Sequence, residues 1–192
     1  MDHRAAIVVY PQVEELDMIG PYETLSHSDS IEIDLLSKSL EPVRAYNGLR
    51  FLPDKTLSDT DDYDIVIVPG GEGRKKAMRD KEILNFLEEQ VESVSYLCSV
   101  CTGVFLLAET GMLEGLKATT HHSALDELRS SYPEIDVLEE RVVKNDTEPK
   151  IWCAAGISSG IDISLELLKE LFGEEMAKKA ADRMEYEYYR IS

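Results

Sequence analysis

The chain has 192 residues, with 38 Asp and Glu against 20 Lys and Arg, which gives a formal net charge of −18. This length is enough for one domain with a substantial core, so we predict a single domain over residues 1–192. The negative charge disfavours nucleic acid and anionic membranes as partners. Three cysteines, no signal-peptide pattern and no apolar run near the ~18 residues of a membrane span together predict a cytoplasmic protein.

Short β-rich segments alternate along the chain with longer segments of helical period. Continuous apolar strands such as 65–68 are typical of a parallel sheet covered on both faces, and the alternation predicts a doubly wound α/β fold. The predicted strands cover 5–10, 31–37, 64–71, 95–100 and 150–156. The predicted helices cover 16–27, 73–92, 102–110, 122–130, 158–172 and 174–189, with Asp80 as a break or N-cap inside the second.

Two antiparallel excursions interrupt this alternation. The Asn47-Gly48 pair between 41–43 and 49–51 predicts a hairpin with a tight primed turn. A second excursion is predicted from Val137–Val143, through a turn at Asn145-Asp146, into Lys150–Cys153.

Cys101 stands where an apolar strand ends and a helix begins. Thr102 and Gly103 leave the amides of the first helical turn open, and these amides and the helix dipole favour the thiolate. A strand, a sharp turn and a helix form the pattern of a nucleophile elbow. Cys101 is therefore interpreted as a nucleophile, with a buried core cysteine as the alternative.

The ends of the other strands carry further candidates, because ligands of open α/β sheets bind beyond the carboxyl ends of the strands. Asp17 follows the first strand, and from the residues alone a helix cap is the favoured role. Gly70 and Gly71 end the third strand, where backbone amides can face an anion. His121 is either a proton-transfer group near Cys101 or a capping histidine. It adjoins His122, and neighbouring strand residues point to opposite faces, so no metal site is predicted.

The remaining cysteines are predicted to be core residues. Cys98 forms a C-x-x-C pattern with Cys101, but it lies inside the strand, whereas both thiols of a redox pair lie at a helix start. Cys153 lies in a strand-like apolar segment, and its role is interpreted as packing.

Five segments in order resemble one family. They are 16–23 (LDMIGPYE), 65–71 (IVIVPGG), 99–115 (SVCTGVFLLAETGMLEG), 118–122 (ATTHH) and 154–168 (AAGISSGIDISLELL). Together they resemble the ThiJ/PfpI superfamily, the class I glutamine amidotransferase-like variant of the flavodoxin-like fold, and within it the isocyanide (isonitrile) hydratase branch. The resemblance implies a doubly wound, mostly parallel sheet with helices on both faces and a nucleophile elbow.

The resemblance also implies roles for individual residues. Cys101 matches the nucleophile and Asp17 the acid beside it, which reverses the capping interpretation. Thr102 matches the residue after the nucleophile, while Gly70 and Gly71 match the turn whose amides stabilise an oxyanion.

Weaker matches concern residues around this pair. His121 matches an assisting histidine, and Ser158 and Ser159 match a helix start that lines the pocket together with Ile19, Tyr22 and Ile157. Members of the family are commonly homodimers, so a homodimer is expected, with the first helix at the interface.

For the hydratase branch, the implied reaction converts an isocyanide and water to an N-formamide. The Cys101 thiolate attacks the terminal carbon and Asp17 moves the proton, so neither a metal nor an organic cofactor is expected. An acid beside a thiolate is a like-charge pair, and Asp17 is therefore expected to have a raised pKa. The substrate is expected to be a small molecule.

Several alternatives use the same residues. They are a glyoxalase or deglycase, an amidase acting on small carbonyl compounds, a sensor based on oxidation of Cys101, and a binding domain without chemistry. A peptidase is disfavoured, because the peptidase branch of the family that it resembles has the sequence Cys-His-Gly at the elbow, whereas Thr102 follows Cys101 in this chain.

Overall fold

The computed structural model describes residues 3–59 and 62–187. Its strands are β1 (His3–Val8), β2 (Ile31–Ser37), β3 (Val43–Arg44), β4 (Arg50–Phe51), β5 (Lys55–Thr56), β6 (Ile65–Val68), β7 (Tyr96–Val100), β8 (Lys117–Ala118), β9 (Asp136–Val137), β10 (Val142–Asn145) and β11 (Lys150–Ala154). Its α-helices are α1 (Glu15–Leu25), α2 (Arg74–Ala77), α3 (Lys81–Gln90), α4 (Val104–Glu109), α5 (Leu125–Ser131), α6 (Ser159–Phe172) and α7 (Glu174–Arg183). Short 3₁₀ turns at Cys101–Gly103 and His122–Ala124 precede α4 and α5.

Seven strands form the central sheet in the order β10-β11-β7-β6-β1-β2-β5. Every neighbouring pair is parallel except β10 with β11. The four side chains of β6 alternate between two cores, Val66 and Val68 on one face and Ile65 and Ile67 on the other. The first core contains residues of α3, α4 and α5, and the second contains residues of α1, α6 and α7. The prediction of a doubly wound, mostly parallel sheet is therefore confirmed.

The order of the strands explains where a site can form. From β1 the chain goes to β2 on one side, and β6 and β7 lie on the other side. The carboxyl ends of β1 and β6 therefore flank the point where the strand order reverses, which is where open α/β sheets bind ligands. The segments that follow β1, β6 and β7 contain Asp17, Gly70 and Cys101, respectively.

Local structure departs from the predictions in two loops. The hairpin of β3 and β4 forms, but it does not have a two-residue primed turn. Gly48 alone has a positive φ (103°), and its N–H donates to the Ala45 carbonyl at 3.1 Å. Asn47 therefore keeps an ordinary φ, and the glycine takes the left-handed position after the turn. In the second excursion only β10 pairs antiparallel with β11, whereas β9 pairs in parallel with β8.

Two helix boundaries also bear on the predictions. The segment 73–92 is divided at Asp80, which caps α3 by accepting from the Glu82 N–H, as predicted. The last helix ends at Arg183 instead of 189, with a left-handed residue at Glu185 (φ 51°), while 188–189 lie outside the described residues. Within the described ranges, no helix is both long and apolar enough to cross a membrane.

Candidate active site

Cys101 occupies a strained elbow between β7 and α4. Its φ is 56°, a left-handed value that costs a residue with a side chain on the order of 1–3 kcal/mol. Its N–H donates to the Ala155 carbonyl at 2.7 Å, and its carbonyl accepts from the Thr120 hydroxyl at 2.9 Å. A Cβ at Gly103 would lie 2.0 Å from the Val68 oxygen, so only glycine lets the helix start this close to the strand. These contacts fix the direction in which the thiol points.

Asp17 is the acid beside this thiol. It lies in the first turn of α1 and is completely buried. Its Oδ2 accepts from the Gly70 N–H at 3.0 Å, while Oδ1 is buried without a hydrogen bond of regular geometry and the Cys101 thiol lies next to this carboxyl. The N-cap position of α1 belongs to Glu14, and Asp17 does not cap the helix. The capping role favoured by the residues alone is therefore wrong.

Burial controls the ionisation of both groups. It raises the pKa of Asp17 to about 7, helped by the charge of Glu14 and opposed by the Gly70 N–H. It raises the pKa of Cys101 to about 12, helped by the negative charge of Asp17 and opposed by the Thr102 N–H. Near pH 7 and above, the favoured state is thus a thiol beside a carboxylate. The helix-start amides do not produce a resting thiolate, because desolvation and the neighbouring acid outweigh them.

Gly70 and Gly71 act differently from the expectation. The Gly70 N–H donates to Asp17, and the Gly71 N–H donates to the Thr102 hydroxyl at 3.0 Å, so both amides already have acceptors. They orient the acid and the elbow, and the amide that acts on the sulfur is that of Thr102. Because a Cβ at Gly70 would lie 2.5 Å from the Thr102 nitrogen, the turn and the elbow can approach only through a glycine.

His121 caps a helical turn and also lies in the cavity that contains Cys101. Its Nδ1 accepts from the Ser123 N–H at 3.3 Å and lies 2.8 Å from the Ser123 hydroxyl, which makes His121 a cap. It also lines the cavity that contains Cys101. Burial and the neighbouring His122 lower the pKa of His121, which favours the neutral ring.

The cavity at Cys101 has a volume of about 320 Å³. Its lining includes five charged residues that the sequence analysis did not assign to the site, Glu14, Glu72, Arg74, Lys75 and Glu127. Glu14 belongs to the acidic run ahead of Asp17, which was a usable signal. Arg74 is buried, stacks 3.9 Å over the Phe105 ring and pairs with Glu127, and no local pattern indicated this arrangement.

A larger cavity of about 600 Å³ shares two residues with the first, His121 and Ile157. Ser158 lines only the larger cavity, together with Leu16. Ile157 and Ser158 thus lie where the sequence analysis placed a pocket.

Three other predicted pocket residues lie elsewhere. Ile19 and Tyr22 are 39% and 41% exposed and line neither cavity. At about 100° per helical residue, positions two and five beyond Asp17 lie on the opposite side of α1. Ser159 is buried, and its hydroxyl donates to the Gly156 carbonyl at 2.6 Å.

Cys98 and Cys153 are free thiols buried in the neighbouring strands β7 and β11. Burial raises the pKa of both. Within residues 3–59 and 62–187, no three His, Cys, Asp or Glu side chains are arranged to hold a metal ion.

The sheet, the strained cysteine turn and the buried acid define a flavodoxin-like α/β protein with a cysteine elbow. The chain belongs to the DJ-1/PfpI family, whose model matches residues 3–170. It is 36% identical over 179 residues to the isonitrile hydratase of Pseudomonas putida, covering 93% of this chain and 76% of that protein. It is 26% identical to the glutathione-independent glyoxalase DJR-1.2 of Caenorhabditis elegans, over 90% of this chain and 91% of that one.

Among solved structures, a ThiJ/PfpI family protein from Pseudomonas syringae superposes with a TM-score of 0.89 at 32% identity. The match covers 97% of this chain and 76% of the other. These similarities include named enzymes of more than one activity.

Proposed function

We propose that this protein is a cysteine-dependent hydratase of the isonitrile hydratase type, which converts an isocyanide and water to an N-formamide. The observation that carries the proposal is the buried pair of Asp17 and Cys101, in which the Gly70 N–H holds one oxygen of the acid and the thiol lies beside the carboxyl group. The 36% identity to a named isonitrile hydratase supports the same activity.

The first half of the reaction follows from the protonation states. Asp17, ionised above about pH 7, takes the proton of the Cys101 thiol. The sulfur then attacks the electrophilic terminal carbon, and the proton passes to that carbon, which yields a covalent thioimidate. Because Asp17 has an oxygen at the sulfur and is shielded from solvent, it can hold this proton between the two steps.

The second half regenerates the enzyme. Water adds to the thioimidate carbon, the nitrogen gains a proton, and the C–S bond breaks as the carbonyl of the formamide forms. The sulfur recovers its proton through Asp17. The cavity of about 320 Å³ has the size of a small-molecule site, and this chemistry uses protein side chains and water alone.

A glyoxalase activity is the second candidate, because the same acid and thiol suit attack on an α-oxoaldehyde and a relative carries that name.

The test measures formamide production from an aryl isocyanide by absorbance. Wild type and Cys101→Ala are compared with Cys98→Ala, a control that removes a thiol from the core of the same strand. We expect turnover in wild type and in the control, and none in Cys101→Ala. A folded wild type that forms no formamide contradicts the proposal, and turnover of methylglyoxal in the same preparation then favours the glyoxalase.

We also propose that the chain forms a homodimer through α1. Leu16, Ile19 and Tyr22 are large apolar residues at intervals of three along this helix, and each is 38% to 41% exposed. Such a stripe on a surface helix is typical of a contact with another protein. Sedimentation of wild type and Ile19→Glu tests this: we expect a dimer for wild type and a monomer for the variant.

A further inference from the structure

The two halves of the proposed reaction place different demands on an acid–base group. In the first half, a proton leaves sulfur. In the second half, a proton must leave a water molecule that approaches the thioimidate carbon from the cavity. Asp17 is completely buried, with one oxygen bonded to the Gly70 N–H and the Cys101 thiol beside its carboxyl group. It is placed for the first task, and it offers no exposed oxygen for the second.

Glu14 is the carboxylate that meets the second demand. It lines the cavity together with Cys101 and is half-buried. It is close enough to Asp17 that its charge raises the pKa of that acid. Its backbone N–H donates to the Gly70 carbonyl at 2.9 Å, so the same turn that holds Asp17 also holds Glu14.

The side chain of Glu14 is not committed to a structural task. It occupies the N-cap position of α1 without capping it, and it accepts a long hydrogen bond of 3.4 Å from the Asn47 side-chain amide. Its neighbour Glu15 differs: it accepts from the Asn47 N–H at 2.7 Å and from the Asn47 amide at 2.8 Å. Two other acids line the cavity: Glu127 is paired with Arg74, and Glu72 is exposed to solvent, so that it lacks the partial burial of Glu14.

We propose that Glu14 is the general base that activates water in the second half of the reaction, an inference that rests on the proposed hydratase function. The Glu14 carboxylate takes a proton from water as the O–C bond forms. The electron pair of the C=N bond moves to nitrogen, which takes that proton back from Glu14. The Glu14 carboxylate takes the hydroxyl proton as the formamide carbonyl forms and the C–S electron pair returns to sulfur, and this proton then passes from Glu14 through the neighbouring Asp17 to the thiolate.

The electrostatics of Glu14 suit this task. Burial and the charge of Glu15 raise the pKa of Glu14 above its usual value. A base whose pKa lies nearer the working pH accepts a proton from water more readily and can still return it to nitrogen. Two carboxylates, one beside the sulfur and one in the open cavity, thus divide the proton transfers by position.

The experiment measures each half-reaction separately. Enzyme is mixed with an aryl isocyanide, quenched at intervals, and examined by intact-protein mass spectrometry for the adduct while formamide is followed by absorbance. Glu14→Gln keeps the size of the side chain and removes the base. We expect it to form the adduct at close to the wild-type rate and to hydrolyse it about 100-fold more slowly, so that the adduct accumulates.

The matched control is Glu15→Gln, which removes a charge one position away and keeps an oxygen for Asn47. We expect turnover close to wild type and no adduct. Glu14→Asp keeps the charge on a shorter side chain, and we expect partial recovery of adduct hydrolysis. Glu14→Asp is judged by the same two rates, so a folding defect in Glu14→Gln does not prevent a decision.

The outcomes separate the two proposals. If wild type forms formamide and Glu14→Gln hydrolyses its adduct at the wild-type rate, the role of Glu14 is wrong and the hydratase function stands. Failure of folded Glu14→Gln to form the adduct also overturns the inference, because Glu14 would then act before the attack by sulfur. If wild type forms neither adduct nor formamide, the hydratase function itself fails.

Discussion

Two aspartates, Asp17 and Asp162, occupy equivalent places in the molecule but have different partners. Both are completely buried, and both lie in the first turn of a helix, α1 and α6, on the same face of the sheet. Asp162 is paired with Arg141 and accepts from the Tyr186 hydroxyl at 3.0 Å. Asp17 has a single backbone donor and a thiol.

Burial raises the pKa of both acids, and their neighbours account for the difference. For Asp162, the Arg141 charge and the Tyr186 hydroxyl oppose the effect of burial. For Asp17 no cation does so, and its pKa rises to about 7. A buried acid that is paired with a cation connects two segments of the fold, whereas a buried acid without a cation can gain and lose a proton near neutral pH.

The largest predicted effect is on turnover. Asp17→Asn removes the group that accepts the thiol proton, so we expect formamide production to fall about 1000-fold. Asp162→Asn keeps the shape of the side chain at the structural site, and we expect turnover within about threefold of wild type. Steady-state assays of both purified variants check this. An equal loss in the two variants would mean that the comparison does not separate catalysis from structure.

The second prediction concerns pH and stability. The pKa of Asp17 is about 7 in the folded protein against an ordinary value of 3.8, so the folded state binds this proton more tightly than the unfolded state. The contribution of Asp17 to the free energy of unfolding is then largest below about pH 4, and it is lost as the pH rises towards about 7. The loss corresponds to about 4 kcal/mol at most.

Urea unfolding of wild type and Asp17→Asn between pH 4 and 8 measures this loss as a difference between the two proteins. We expect the free energy of unfolding of Asp17→Asn to rise relative to that of wild type with increasing pH. This difference should become constant above about pH 7. Turnover has the opposite dependence, since it requires the ionised acid, and should increase up to about pH 7. A difference in stability that does not vary with pH would show that Asp17 has an ordinary pKa.

The smallest predicted effect tests the paired acid. Tyr186→Phe removes the hydroxyl that donates to Asp162 and leaves the bond to Arg141 in place. We expect a loss of about 1 kcal/mol in the free energy of unfolding and unchanged turnover. Urea unfolding and the formamide assay are done on the same preparation. A loss of turnover without a loss of stability would link this cluster to the reaction.

Periodicity was enough to predict five strands of the central sheet, β1, β2, β6, β7 and β11, because apolar runs covered on both faces have a strong signal, whereas the two-residue edge strand β5 was not predicted. It also placed Asp17, Gly70 and Cys101 at strand ends, and the topology brings those ends to one edge. The predicted turn type was wrong at Asn47-Gly48, because an Asn-Gly pair is compatible with more than one type of turn. The prediction was also wrong for Ile19 and Tyr22, because the direction of a helical side chain depends on which face packs on the sheet.

By itself, the sequence determined the α/β class and the cysteine elbow, since these depend on local pattern, and the family motifs predicted that Asp17 and Cys101 form a pair. Only the tertiary structure decided what the pair does with its proton. The acid and its amide donor, Gly70, are 53 residues apart, and the segments that bury the acid come from distant parts of the chain. Desolvation depends on the whole packed surroundings of a group, and these exist only once the sheet and its helices have assembled.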